Sequence, residues 1–178
     1  MLPQSRFAPL PSFAKEIDGG VTAPRGFIAA GVASGVKKRG KLDLGLLLSE
    51  VPAVSAATFT SNAAAAAPVR LTRESSDCSH LRAVVVNAGN ANACTGKQGL
   101  TDAARMRLLA ANHLRLPVEQ VAVCSTGLIG VPLPMDKIEP GIGAAAMALP
   151  GGAGVAASDG FATAIRTTDK QAKYVFFI

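Results

Sequence analysis

At 178 residues the chain has the length of one ordinary domain with a sizeable core, or of one large piece of a bigger domain. The hydrophobic fraction of 49% is high, but much of it is alanine, and no run approaches the roughly 20 consecutive apolar residues of a membrane span, so no membrane partner is expected. The net charge of +6 admits an anionic partner, yet the basic residues crowd only at Lys37, Lys38, Arg39 and Lys41. With no Trp and 4% aromatics there is little surface on which bases could stack, which argues against nucleic acid. Three cysteines, Cys78, Cys94 and Cys124, are odd in number and lack any C-x-x-C spacing, so neither a disulfide framework nor a structural zinc site is expected, and no His/Asp/Glu cluster suggests another metal. Residues 1–15 carry scattered basic charge, prolines and no apolar core of signal-peptide length, which points to the cytoplasm.

In chain order, residues 1–20 read as an extended leader ending at Gly19-Gly20. Pro24 and Gly26 mark a turn, and residues 37–41 around Gly40 read as a hairpin tip between two strands, either a solvated loop or an attractor for acidic substrates. Leu42, Leu44, Leu46 and Leu48 then alternate with period two, predicting a strand that Pro52 ends. A third strand is predicted over 53–60, followed by an alanine run to Pro68 with helical preference and a polar, exposed connection over 72–80.

Residues 81–87 form a near-continuous apolar strand of the kind covered on both faces, leading into a loop rich in Asn and Gly over 87–99. Thr101 is placed to cap a helix over 101–115 that carries His113, most simply as cover for the sheet. Residues 121–124 read as a buried strand running into a small polar turn, Ser125-Thr126-Gly127. Pro134 suits the first turn of a helix that Pro140 should interrupt, and further helices are predicted over 142–149 and 155–165. A polar turn over 166–170 precedes an aromatic, β-prone strand over 174–178.

The Ser125-Thr126-Gly127 turn carries the clearest chemistry. It lacks the glycines of a G-x-S-x-G nucleophile elbow. One hydroxyl and one glycine amide at the end of a rigid strand are, however, the two donors an oxyanion hole needs; an ordinary turn closing the strand is the alternative. Glycine spacing in the 87–99 loop matches no phosphate-cradling pattern, and nothing beside Cys78 or His80 marks a thiol nucleophile.

Several stretches belong together: Thr22-Ala23-Pro24-Arg25-Gly26-Phe27 with Ala29-Ala30-Gly31-Val32, then Phe59-Thr60 with Asn62, and Ala67-Pro68-Val69. They continue with NAGNANACTG at 87–96, CSTGLIG at 124–130, Pro132-Leu133-Pro134-Met135-Asp136-Lys137 and Thr167-Thr168-Asp169. In this order over about residues 20–170 they resemble the α-subunit portion of the ornithine acetyltransferase family, the bifunctional glutamate N-acetyltransferases of arginine biosynthesis.

The resemblance implies an α/β (α+β) protein, the N-terminal part of an α/β/β/α sandwich of the self-processing ornithine acetyltransferase/aminopeptidase type. It implies a precursor that cuts itself at an Ala-Thr bond, freeing a threonine that carries acetyl from N-acetylornithine to glutamate. On that likeness Thr126 and Gly127 form the oxyanion hole and Thr167 binds substrate. A β subunit of the same precursor, in an α2β2 assembly, is the expected partner. No cofactor is implied, with acetyl-CoA an open alternative as co-substrate.

Two departures stand out. Arg166 occupies a position where the family commonly has Met, and the Gly-Met, proline and scissile Ala-Thr text has no counterpart before Ile178. The organisation expected is therefore a leader over 1–20, an α-subunit-like domain over 21–170 and an aberrant or truncated terminal strand over 171–178. On that likeness the nucleophile is expected to lie outside this chain, and the isolated chain is expected to be inactive. The competing readings are a non-catalytic remnant and a fragment of a related self-processing aminopeptidase.

Overall fold

The computed structural model describes residues 19–169. The leader expected over residues 1–20 falls almost wholly outside that span, as does the terminal strand expected over 171–178. Four strands, β1 (Phe27–Val32), β2 (Leu44–Ser49), β3 (Ala83–Asn90) and β4 (Val121–Leu128), form one sheet in the order β1-β2-β3-β4. The first three run antiparallel, while β4 lies parallel to β3 and is reached through a crossover helix. The helices are α1 (Ala67–Ser75), α2 (Gly96–Leu114), α3 (Met135–Ala148) and α4 (Val155–Ala164). The fold is thus mixed α/β, and the described residues supply one sheet of the expected two-sheet sandwich.

Strand alternation decides what each face meets. Leu44 and Leu46 of β2, Val85 of β3, and Val121 and Val123 of β4 are buried in one cluster with Met106 and Ala110 of α2 and Ile138 and Ile142 of α3. The intervening residue Gly45 faces the other way, where a Cβ would stand 2.9 Å from the ring of Phe161 in α4. Helix α4 therefore lies on the opposite face, directly against β1 and β2. The free edge of β4 is covered by α1. Thr72 Oγ1 receives the Val123 N–H at 3.1 Å and lies 3.3 Å from the Val123 carbonyl, to which it donates, while Ser76 Oγ donates to the Val121 carbonyl at 3.3 Å. Hydroxyls at helical spacing thus do for this edge what a fifth strand would do.

Several expected elements differ. Residues 53–60 form no strand: Val54 is 92% exposed, and β-prone composition without a partner strand leaves the backbone irregular. The polar window at 72–80 begins inside α1, with Thr72 buried. Helix α2 starts five residues before Thr101, because Asn92 braces its first turn. The Asn92 Oδ1 accepts from Thr95 Oγ1 at 2.7 Å and its Nδ2 donates to the Gly99 carbonyl at 2.9 Å. Pro140 lies within α3 without ending it. The proline forgoes one backbone hydrogen bond, a loss outweighed by burial of Ile138, Ile142 and Ala145 on the same helix.

Candidate functional site

The expected turn at 125–127 is the continuation of β4, which runs unbroken to Leu128. Ala88 pairs with Thr126 and Gly89 with Gly127, after which the register shifts at Asn90. Gly127 adopts φ +138°, and a Cβ there would overlap the backbone of Gly89 and stand 2.5 Å from the Asn90 nitrogen. Glycine is required on both counts, since an L side chain is strained at that φ and has no room. Gly89, at φ +112°, also has a backbone that favours glycine, and a Cβ there would press on the side chains of Val36 at 3.0 Å and Lys37 at 3.3 Å.

Asparagines hold the segment beyond this pair. Asn90 Nδ2 donates to the carbonyls of Val131 and Pro132, each at 3.0 Å, and its Oδ1 accepts from the Asn92 N–H at 2.8 Å. Backbone bonds from Ala91 to Leu128 and from Gly130 to Ala93 complete the brace. The loop expected over 87–99 is thus strand over 87–90 and helix over 96–99, with the asparagines bracing the segment between and beyond them.

Thr126 and Gly127 line an open cleft of about 1260 Å³ at the carboxyl ends of the parallel pair β3 and β4. Thr167, just beyond the end of α4, lines the same cleft, as do Lys37, Lys38, Arg39, Lys41 and Arg166. The structure thus gathers all three site residues expected from the sequence, Thr126, Gly127 and Thr167, around one space. It adds the basic loop between β1 and β2.

Asp43 folds that loop. Its carboxylate is fully buried and accepts backbone N–H groups from Ser34 at 2.6 Å, Gly35 at 3.1 Å and Lys37 at 2.7 Å. The tip turns at Arg39 and Gly40, both with positive φ, and leaves Lys38, Arg39 and Lys41 exposed. Lys37 differs from its neighbours. Its Nζ donates to the carbonyls of Leu42 at 3.0 Å, Ala164 at 3.2 Å and Arg166 at 2.5 Å. Burial lowers its pKa from the ordinary lysine value; Asp43 opposes that shift, and Arg166 and Lys41 add to it.

Other candidates stand apart from the cleft lining. His113 is exposed on α2, and His80 Nδ1 lies 2.9 Å from the Asp77 carboxylate in an exposed turn. Cys124 has solvent access on β4, yet the atoms around its thiol desolvate it and push its pKa up, which disfavours the thiolate. Among the described residues no three His, Cys, Asp or Glu lie together to hold a metal, and no helix is long and apolar enough to cross a membrane. Sequence reasoning missed Asp43, Gly89 and the separate role of Lys37. The run Lys-Lys-Arg-Gly-Lys at 37–41 carries no mark that singles out its first member.

Fold and cleft together define a mixed α/β protein with an open cleft at the carboxyl ends of parallel strands, the usual place for a ligand in such sheets. Residues 28–177 match the ArgJ family, and the chain belongs to it. It is 52% identical over 153 residues to the arginine biosynthesis bifunctional protein ArgJ of Symbiobacterium thermophilum, covering 85% of this chain and 37% of that protein. To the ArgJ protein of Parasynechococcus marenigrum it is 44% identical over 177 residues, covering 98% of this chain and 42% of that one. The chain therefore spans less than half the length of these relatives. The crystal structure of the Bacillus halodurans ArgJ protein superposes with a TM-score of 0.81 at 42% identity, over 92% of this chain and 84% of that chain. A Mycobacterium tuberculosis ornithine acetyltransferase complexed with ornithine superposes with a TM-score of 0.82 at 44% identity, over 89% and 84%.

Proposed function

We propose that this chain supplies the oxyanion hole and part of the substrate wall of a cytoplasmic acetyltransferase that moves acetyl from N-acetylornithine to glutamate. The observation that carries this reading is the meeting of Thr126, Gly127 and Thr167 around one cleft, with Gly127 on a backbone only glycine can adopt. Family membership favours acetyl transfer over the peptidase alternative, and the ornithine bound to the similar mycobacterial enzyme supports the donor class.

The nucleophile is a threonine from a β subunit of the same precursor, outside this sequence, in an α2β2 assembly. Its hydroxyl attacks the acetyl carbonyl of N-acetylornithine while its α-amine takes the hydroxyl proton. The Thr126 hydroxyl and the Gly127 N–H hold the oxyanion that develops. As the intermediate collapses, the C–N bond breaks, the proton passes to the departing ornithine amine, and acetyl remains as a threonine ester. The amine of glutamate then attacks that ester at the same oxyanion site, forming the new C–N bond as the ester C–O bond breaks, and a proton from that amine passes to the freed threonine oxygen. No cofactor is required. Both substrates carry carboxylates, which the exposed Lys38, Arg39 and Lys41 beside the cleft attract.

The test is to assay acetyl transfer by the purified chain alone and after assembly with the C-terminal portion of an ArgJ relative. The reading predicts no transfer in the first case and transfer in the second. Transfer by the chain alone defeats the assignment of the nucleophile to another chain.

A further inference from the structure

We infer that Lys37 is a positioning residue that sets the spacing between Thr167 and the Thr126-Gly127 pair. The inference rests on the proposed role of Thr167 as a substrate contact, but its structural half stands without it.

Lys37 spans the two sides of the cleft. Its stem passes over Gly89, where an added Cβ would lie 3.3 Å from the lysine Cγ, and Gly89 is paired with Gly127 in the sheet. Its ammonium reaches the far side, where the Ala164 and Arg166 carbonyls stand at and just past the C-terminus of α4, 127 and 129 residues along the chain. Three N–H donors meet three carbonyl acceptors, the third being Leu42 in its own loop. The acceptors at the end of α4 carry the negative pole of the helix, which suits a cation.

The lysine itself is not free to swing. Its backbone N–H is one of the three held by the buried Asp43 carboxylate, and Asp43 also accepts the Ala88 N–H through its own carbonyl, beside the strand pair that carries Thr126. A continuous chain of bonds thus runs from β3 through Asp43 and Lys37 to the Arg166 carbonyl, and Thr167 is the next residue. With its three protons committed to backbone carbonyls, Lys37 acts on the cleft through geometry, whereas Lys38, Arg39 and Lys41 face solvent.

The test compares Lys37→Met and Lys37→Arg in two measurements, with Lys38→Met as a control in the first. In the chain alone, amide hydrogen exchange over residues 163–168 should quicken about tenfold in Lys37→Met, as expected when a charge-assisted hydrogen bond is lost locally. Exchange in β3 and β4 should stay unchanged, Lys37→Arg should restore most of the protection, and amide exchange in Lys38→Met should match that of the unsubstituted chain. In the enzyme assembled with the C-terminal portion of an ArgJ relative, Lys37→Met should raise KM for N-acetylornithine by about tenfold with a smaller change in kcat. Unchanged exchange over 163–168, or exchange that rises equally throughout the sheet, overturns the inference. If exchange rises locally while KM does not move, the clamp exists but Thr167 does not bind substrate, and that result rejects the link to the cleft. Absence of transfer in the unsubstituted assembly rejects the proposed function and leaves the exchange result to decide the clamp.

Discussion

The two sides of the cleft are built by different physics. The side formed by β3 and β4 is set by the pairing of two strand backbones: Gly89 and Gly127 pair so closely that no side chain fits at Gly127, and Thr126 is presented at the end of a strand whose earlier residues lie in the core. The side formed by the β1–β2 loop and the end of α4 is held by two charged side chains, Asp43 and Lys37, bonded to backbone groups. The first side resists displacement because any shift breaks a sheet register. The second can be retuned by one substitution. A site that stabilises developing charge needs the stiff kind of support, and one that admits two different amino acids in turn gains from the adjustable kind.

Substitutions at the strand pair should have the largest effect. Gly127→Ala forces a strained φ and a clash with the neighbouring backbone, and should cost about 4 kcal/mol in urea unfolding of the chain. Gly127→Pro should abolish turnover in the assembled enzyme. An Ala variant as stable as the parent would show that the strand pair is softer than its geometry implies.

Asp43→Asn comes next. It preserves shape but turns one acceptor oxygen into a donor facing backbone N–H groups that already need acceptors. The expected loss is about 3 kcal/mol by the same unfolding measurement. The smallest effect belongs to the thiol next to the site. Cys124, its pKa raised by burial, should alkylate with iodoacetamide at pH 8 more slowly than the exposed Cys94, and Cys124→Ala should leave turnover in the assembled enzyme within a factor of about two. Fast alkylation at Cys124 would mean that its surroundings are more open than the strand pairing suggests.

The same contrast explains what was legible in the sequence. Thr126 and Gly127 could be picked out because a run of apolar residues leading into Ser-Thr-Gly is local text, and the surrounding motifs gave it a family context. Its reading as a turn failed for a non-local reason: the neighbouring strand continues past residue 87 to Asn90, and pairing with it keeps residues 125–128 in the sheet. The strand expected over 53–60 failed because β-preference needs a partner that composition does not reveal. Lys37 and Asp43 were illegible as site-builders because their meaning lies in contacts with carbonyls more than a hundred residues away and with backbone N–H groups, neither of which leaves a side-chain pattern. Asn92 hid the true start of α2 in the same fashion, by bracing the first turn through side-chain bonds to Thr95 and Gly99.

The central claim is that Thr126 and Gly127 hold an oxyanion for a nucleophile on another chain. Thr126→Ala in the enzyme assembled from this chain and the C-terminal portion of an ArgJ relative tests it most directly. The account predicts that kcat/KM for N-acetylornithine falls by about 10²–10³, on the order of 3 kcal/mol of transition-state stabilisation, while the melting midpoint of the chain barely moves because Thr126 is only half-buried. Near-normal turnover in the Ala variant would contradict it.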